Sequence, residues 1–255
     1  MPTRRERLRA ELIRDIKSTA LAHLREHGAD RLSLRAVARD LGVSAPGLYR
    51  YYSGRDDLLT ALIADSYHDL ADHLLVAIDA DGDVSGNDRH PPDSSRRAGS
   101  ERTPGEGMAA VCRSYRAWGL AHPHEFGLIY GDPIPGYAAP EAGVTVDAMR
   151  RVARALLQPV VEGWRAGALA IPDAFDAPYL GEGAVRLRDD VAAMVSDDVP
   201  VALGAFAMSL WAWLHGIVSL EVFGQFHWIY PSGAEPLFEA SLRAQLTAAG
   251  LYAQA

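Results

Sequence analysis

Residues 42–59 read GVSAPGLYRYYSGRDDLL and gather side chains suited to hydrogen-bonding an anion or a planar base: Tyr49, Tyr51 and Tyr52 with Arg50 and Arg55. An arginine guanidinium presents a rigid fork of donors that fits a phosphate or the edge of a guanine. Leu48 and Tyr52 are four residues apart, so on a helix they share an inward face and turn Tyr49 and Arg50 outward. Burying Leu48 and Tyr49 together would demand a wide apolar face on a very short helix. A different chemistry is open to His122, His124, His215 and His227 with Glu125 and Glu221, residue types that ligate metals or move protons. No HExxH, GxSxG, P-loop or dinucleotide fingerprint accompanies them. No catalytic residue, metal or cofactor is therefore expected. Asp79, Asp81 and Asp83 resemble the opening of a calcium loop, but Val84 stands where that loop needs glycine and His90 where it needs glutamate.

The flanking patterns supply the elements that must hold the 42–59 stretch. Leu8, Leu12, Ile16, Ala20 and Leu24 repeat every four residues and predict a long amphipathic helix ending at His27-Gly28. Ser33 is an N-cap candidate for a short second helix carrying Leu34, Val37, Ala38 and Leu41, closed by Gly42. Ser44 opens a third, with Pro46 tolerated in its first turn. Ser53 with Asp56 reads as a capping-box variant at the head of a helix through Leu58, Leu59, Leu62 and Ile63 to about Ile78. Residues 80–107, rich in Gly, Pro, Ser, Asp and Arg, are expected to form a flexible connection. Helical patterns resume over Met108–His122, Val144 to about Leu169, Val201–Phe226 and Pro236–Ala249. Pro159 is expected to kink or divide the second of these. With no alternating strand pattern, the fold class is all-α.

The 255-residue chain carries a formal net charge of −8. Residues 1–60 nevertheless hold 12 Lys+Arg against 8 Asp+Glu, while the remainder holds 13 against 25. A basic head on an acidic body is the asymmetry expected when one end meets phosphates. Cys112 is the single cysteine, which excludes an internal disulfide and a cysteine-based zinc site and suits a reducing compartment. No stretch is read as a membrane span, and the first residues lack a signal-peptide core. A soluble, cytoplasmic protein with no membrane partner is expected.

Two short helices joined by Gly42-Val43-Ser44 after a longer first helix form a helix-turn-helix plan. Here the sequence resembles the TetR family of transcriptional regulators. The resemblance is carried by residues 32–59: the apolar second helix, Gly42-Val43-Ser44 at the turn, Leu48-Tyr49-Arg50-Tyr51-Tyr52, then Arg55, Asp56-Asp57 and Leu58-Leu59. Tyr52 replaces the usual phenylalanine and Arg55 the usual lysine. The match spans roughly residues 9–69, the expected DNA-binding domain. It implies that the third helix enters the major groove of a double-stranded operator. Ala45, Pro46 and Gly47 then allow close approach, and Gly47 does so at a helix cost of about 1 kcal/mol relative to alanine. The resemblance implies DNA contacts for Ser33, Arg35, Ser44, Tyr49, Arg50, Tyr51 and Arg55.

Residues 108–250 are then expected to form a helical effector-binding and dimerisation domain. WAWLHGIVSLEVFGQF, residues 211–226, resembles a TetR subgroup named for its Trp, His and Gly residues, here Trp211, His215 and Gly216. Resemblance implies a homodimer joined through the helix bearing Val152, Leu156, Val160 and Trp164 and the helix from Leu203 to Phe223. Trp118, Phe126, Tyr130, Trp164, Trp211 and His215 are candidates for lining an effector cavity. By analogy with the family, the expected activity is repression relieved by a small, mostly apolar effector; the alternatives are activation or, in a different class, a helical metal-dependent enzyme or protein-binding module.

Overall fold

The computed structural model describes residues 3–79, 102–176, 181–195 and 199–252. Among them it is all-helical: α1 Arg4–His27, α2 Leu34–Asp40, α3 Ala45–Leu48, α4 Arg55–Asp79, α5 Pro104–Ala121, α6 Pro123–Tyr130, α7 Val144–Arg165, α8 Gly181–Val195, α9 Val201–Val222 and α10 Glu235–Ala248. Short 3-10 turns occupy Ala29–Arg31 and Asp173–Asp176. The chain divides into two compact units. One comprises the residues up to Asp69 with His122–Met149, the other Leu70–Ala121 with Arg150 onward. Helices α4 and α7 each run from one unit into the other.

The first unit is built on Ile16 and Ala20 of α1, Leu34, Val37 and Ala38 of α2, Leu48 after the turn, and Leu58, Leu59 and Leu62 of α4. Thr3 starts α1 with a reciprocal cap: its side-chain oxygen accepts the Glu6 N–H, and its own N–H donates to the Glu6 carboxylate at 2.7 Å. The four-residue repeat from Leu8 to Leu24 does not describe the buried face, because it drifts about 40° per step on a 3.6-residue helix. Leu8 is exposed, and the buried line runs through Ile16, Ala20 and His23. Lys17 pairs with Asp65 across α1 and α4 at 2.6 Å. His23 donates to Asp40 at 2.5 Å, tying α1 to the end of α2 and holding the Asp40 carboxyl below its usual range.

Residues 122–149, part of the expected 108–250 domain, pack within this first unit. Their contacts explain it. Leu128, Ile134 and Tyr137 pack on the helix-turn-helix core. The Tyr67 hydroxyl donates to the Ile129 carbonyl, Thr60 and Tyr137 share a 3.0 Å hydroxyl bond, and Arg25 pairs with the buried Glu125.

In the second unit α9 packs against α8, α5 and the 3-10 turn at residues 173–176, and α10 against α5. Tyr115 and Trp118 are its largest fully buried side chains along α5. Helix α9 is long and apolar enough to cross a membrane by length and composition, which corrects the expectation that no such segment exists. Its apolarity has a local use, since Leu203, Phe206, Ala207, Leu214 and Val218 are buried within the unit. Helix α7 continues unbroken through Pro159 rather than dividing there.

Two boundaries also differ from expectation. Helix α5 begins at Pro104, inside the expected 80–107 connection, because Thr103 and Glu106 form a reciprocal cap and proline is favoured in a first turn. The rest of that connection, residues 80–101, lies outside the described residues. At the head of α4 the Ser53 N–H and hydroxyl both donate to Asp57, not Asp56, at 2.8 and 3.2 Å.

Candidate nucleic-acid interface

The turn between α2 and α3 is set by local chemistry. Ser33 caps α2, its hydroxyl oxygen accepting the Ala36 N–H at 3.2 Å. Gly42 takes a left-handed conformation, φ +67°. Its N–H donates to the Arg39 carbonyl and the Val43 N–H to the Ala38 carbonyl, at 3.1 and 3.0 Å. That paired closure is a Schellman cap, and it favours glycine because a Cβ is strained there.

Helix α3 is one turn long. Leu48 is 1% exposed and Tyr52 is 7%, so the two anchor the element from one side. Burial, followed by the Asp65 and Asp57 carboxylates, pushes the Tyr52 hydroxyl up to about 12. The expected inward face is thus occupied by the expected residues. On the other side Ser44, Pro46, Tyr49 and Arg50 are exposed, with Tyr49 at 48%. The Tyr49 N–H closes α3 onto the Ala45 carbonyl at 3.2 Å, which places its ring just past the last helical turn. Ser44 makes no side-chain cap bond. Gly47 has no positive φ, so no backbone strain demands glycine here. A Cβ would meet only the Ser44 hydroxyl at 3.2 Å and the tip of Arg50 at 3.9 Å. Its lack of a side chain keeps this surface low.

Arg35 lies exposed on the first turn of α2, and the Ser33 hydroxyl keeps its proton available for a further acceptor. Tyr51 is half-buried, with the Arg9 guanidinium 5.9 Å from its ring centre. Nothing local in the sequence pairs those two residues. Arg55 was expected to contact a phosphate. Its guanidinium turns back, donating to the Ala29 carbonyl at 3.1 Å and to Asp56 at 3.3 Å. It therefore fastens the start of α4 to the turn after α1.

The six aromatic and histidine candidates do not share one unit. Phe126, fully buried, and Tyr130 lie 5.1 Å apart in the first, and Tyr130 meets Tyr67 edge-on at 5.9 Å. In the second, Trp211 stacks on His215 at 5.1 Å, Trp118 is 1% exposed and Trp164 is half-buried on α7. His215 is engaged at both nitrogens, Nδ1 with the Tyr115 hydroxyl at 3.0 Å and Nε2 with Ser219 at 3.2 Å. Burial holds its pKa below the usual value, so a neutral imidazole links α5 to α9. Beside it the Arg116 guanidinium donates to both Glu221 oxygens at 2.7 Å, and the Ala234 N–H adds a third bond at 3.1 Å. Sequence reasoning set Glu221 among possible ligands or acids, whereas its partners are structural. A depression of about 180 Å³ in this unit is lined by Arg113, Glu239, Ala240, Leu242, Arg243 and Tyr252, none of them an expected pocket residue.

Residues 16–62 match the family model described as bacterial regulatory proteins, tetR family. Residues 108–245 match that of a tetracyclin repressor-like C-terminal domain. HTH-type transcriptional regulator Rv1816 of Mycobacterium tuberculosis is 32% identical over 225 residues, 87% of this chain and 83% of its own length. HTH-type transcriptional regulator Mb1846 of Mycobacterium bovis shows the same identity and coverage. The crystal structure of SCO4313, named as a regulatory protein, is 30% identical, with a TM-score of 0.71 over 97% of this chain and 100% of its own. A Rhodococcus sp. RHA1 protein of unknown function has a TM-score of 0.64 over 93% of this chain and 94% of its own. At 21% identity, that likeness shows the fold alone. Two family models and a regulator relative matched over most of its length agree: the chain belongs to the TetR family of DNA-binding transcriptional regulators.

Proposed function

We propose that this regulator is a homodimeric repressor that binds a palindromic operator and is released by a small, mostly apolar effector. The observation that carries the DNA-reading part is the division of α3 and its following turn. Leu48 and Tyr52 fasten it to the core while Ser44, Pro46, Tyr49 and Arg50 are left exposed. Small residues at Ala45, Pro46 and Gly47 bring the backbone close to base edges. Tyr49 and Arg50 supply the contacts, and Ser33, Arg35 and Tyr51 engage phosphates and flanking bases. In a dimer the two α3 elements sit about 34–36 Å apart, one turn of the duplex.

Support for a second copy comes from the exposed apolar residues of α9 and the turns after it: Met208, Leu220, Phe223, Trp228 and Ile229. On α7, by contrast, Val152 and Val160 are already buried within the protomer, leaving Leu156 and Trp164 as the half-buried members of that face. Trp211, His215 and Gly216 favour the Trp-His-Gly subgroup. The effector is read as apolar because its candidate contacts are aromatic. Helix α4, continuous between the units, is the element through which occupancy would change the head. This is a cytoplasmic regulator with no catalytic role.

The test is binding to a duplex enriched from a random pool by the wild-type chain. Tyr49→Ala is expected to weaken that binding at least tenfold while leaving the melting temperature and the oligomeric state unchanged. Full affinity in this variant would remove α3 from the groove.

A further inference from the structure

We propose that Arg5 and Arg9 of α1 extend the DNA-contacting surface beyond the helix-turn-helix and clamp the phosphate backbone beside α3. The inference rests on α3 being the groove element. Arg5, Arg9, Leu12, Ile16, Ala20 and His23 follow one another at three- and four-residue intervals, so they lie on one side of the helix. From Ile16 onward that side is core: Ile16 and Ala20 are closed to solvent and His23 is 8% exposed. Towards the start of α1 the same line changes from aliphatic to guanidinium, and Arg5 and Arg9 are exposed.

The line ends at the reading surface. Arg9 lies over the Tyr51 ring at 5.9 Å, and Tyr51 directly follows the exposed pair Tyr49 and Arg50. The Tyr51 N–H is bonded to the Leu48 carbonyl at 2.8 Å, so the ring that receives Arg9 is fixed to the buried anchor of α3. The stripe that seats α1 on the core therefore delivers Arg9 to the edge of α3 and sets Arg5 one helical turn, about 6 Å, beyond it. The Thr3–Glu6 cap gives α1 a formed first turn, so Arg5 projects from ordered backbone. Glu6, the only acid within the first seven residues of α1, has its carboxylate committed to Thr3, whose backbone N–H and hydroxyl hold it below the usual glutamate range. Arg7 and Arg14, seven residues apart, occupy the opposite side and are exposed as well. They provide a matched control, since removing them changes the net charge equally. Guanidiniums on a helix flank follow backbone oxygens, so the contact is to phosphate and carries no sequence preference.

The test measures log K against log salt by fluorescence anisotropy, for the enriched duplex and for a mixed-sequence 40-bp duplex. Arg5→Gln/Arg9→Gln is expected to lower the salt slope by about 1.8 on both duplexes, 0.9 for each phosphate lost. Arg5→Lys/Arg9→Lys is expected to restore it, and Arg7→Gln/Arg14→Gln to leave it in place. An unchanged slope in Arg5→Gln/Arg9→Gln, or an equal loss in the Arg7/Arg14 control, overturns the clamp. Tyr49→Ala on the enriched duplex separates the two failures. If it weakens binding while the Arg5/Arg9 slope stays, only the clamp is lost; if it binds fully, the groove assignment itself has failed.

Discussion

Tyr49 and Trp118 are both large aromatics on helical segments, and they mark the contrast between the two units. Tyr49 is 48% exposed at the end of a one-turn helix; Trp118 is 1% exposed in the last turn of α5. Among the candidate DNA contacts of the head, Tyr49 and Arg50 are left outside the core, so there exposure separates function from packing. In the body the candidates are buried or half-buried, and His215 is already bonded at both nitrogens, to Tyr115 and Ser219. An exposed aromatic among small residues is a functional signal, whereas a buried aromatic is first of all a cost to remove.

The strongest way to break this contrast is to truncate both rings. Trp118→Ala is expected to destabilise the protein by about 3–5 kcal/mol through the cavity it leaves. Tyr49→Ala is expected to stay within about 0.5 kcal/mol of wild type, as an exposed substitution should. Urea unfolding of both variants decides it, and comparable losses would erase the distinction between the units.

A polar version of the same test targets the α5–α9 seam. Arg116→Met leaves Glu221, whose side chain is 9% exposed, without its bidentate partner, at a cost of about 3 kcal/mol near neutral pH. Burial pushes the Glu221 carboxyl up, but the Arg116 guanidinium and the Ala234 N–H outweigh it, so its pKa lies below the ordinary 4.5. A depressed carboxylate contributes stability that is complete above its ordinary value and is lost as pH falls through its folded value. Without Arg116, burial is opposed only by the Ala234 N–H, so the gap between wild type and Arg116→Met should be full near neutral pH and narrow as acid protonates the carboxyl, first in the variant and last in wild type. A gap that stays constant through that acid range would show that Glu221 is not held by charge pairing.

The smallest expected effect sharpens the head. Gly42→Ala meets no atom within 4 Å of its new Cβ, so its cost comes only from the left-handed backbone, φ +67°. About 1–2 kcal/mol is expected, read as a fall in thermal midpoint. A neutral substitution would mean that the turn relaxes out of the Schellman geometry.

The all-α class, the helix-turn-helix, the Ser33 cap, the Gly42 break and the inward pairing of Leu48 with Tyr52 were legible in the residues. Each depends on neighbours within about five positions, where helical geometry allows few alternatives. The same short range is why Tyr49 and Arg50 could be placed outward before any fold was known. What tertiary structure alone decided lies at long separation. Arg55 spends its guanidinium on the Ala29 carbonyl, 26 residues away. Residues 122–149 join the head through Arg25–Glu125, 100 residues apart, and through Thr60–Tyr137. His215 is committed to Tyr115 across the same interval of 100 residues. Sequence periodicity specifies which face of a helix is buried, but not which distant face covers it. Packing settles that choice, because a buried donor or carboxylate is costly to leave unpaired and is best satisfied wherever the chain returns.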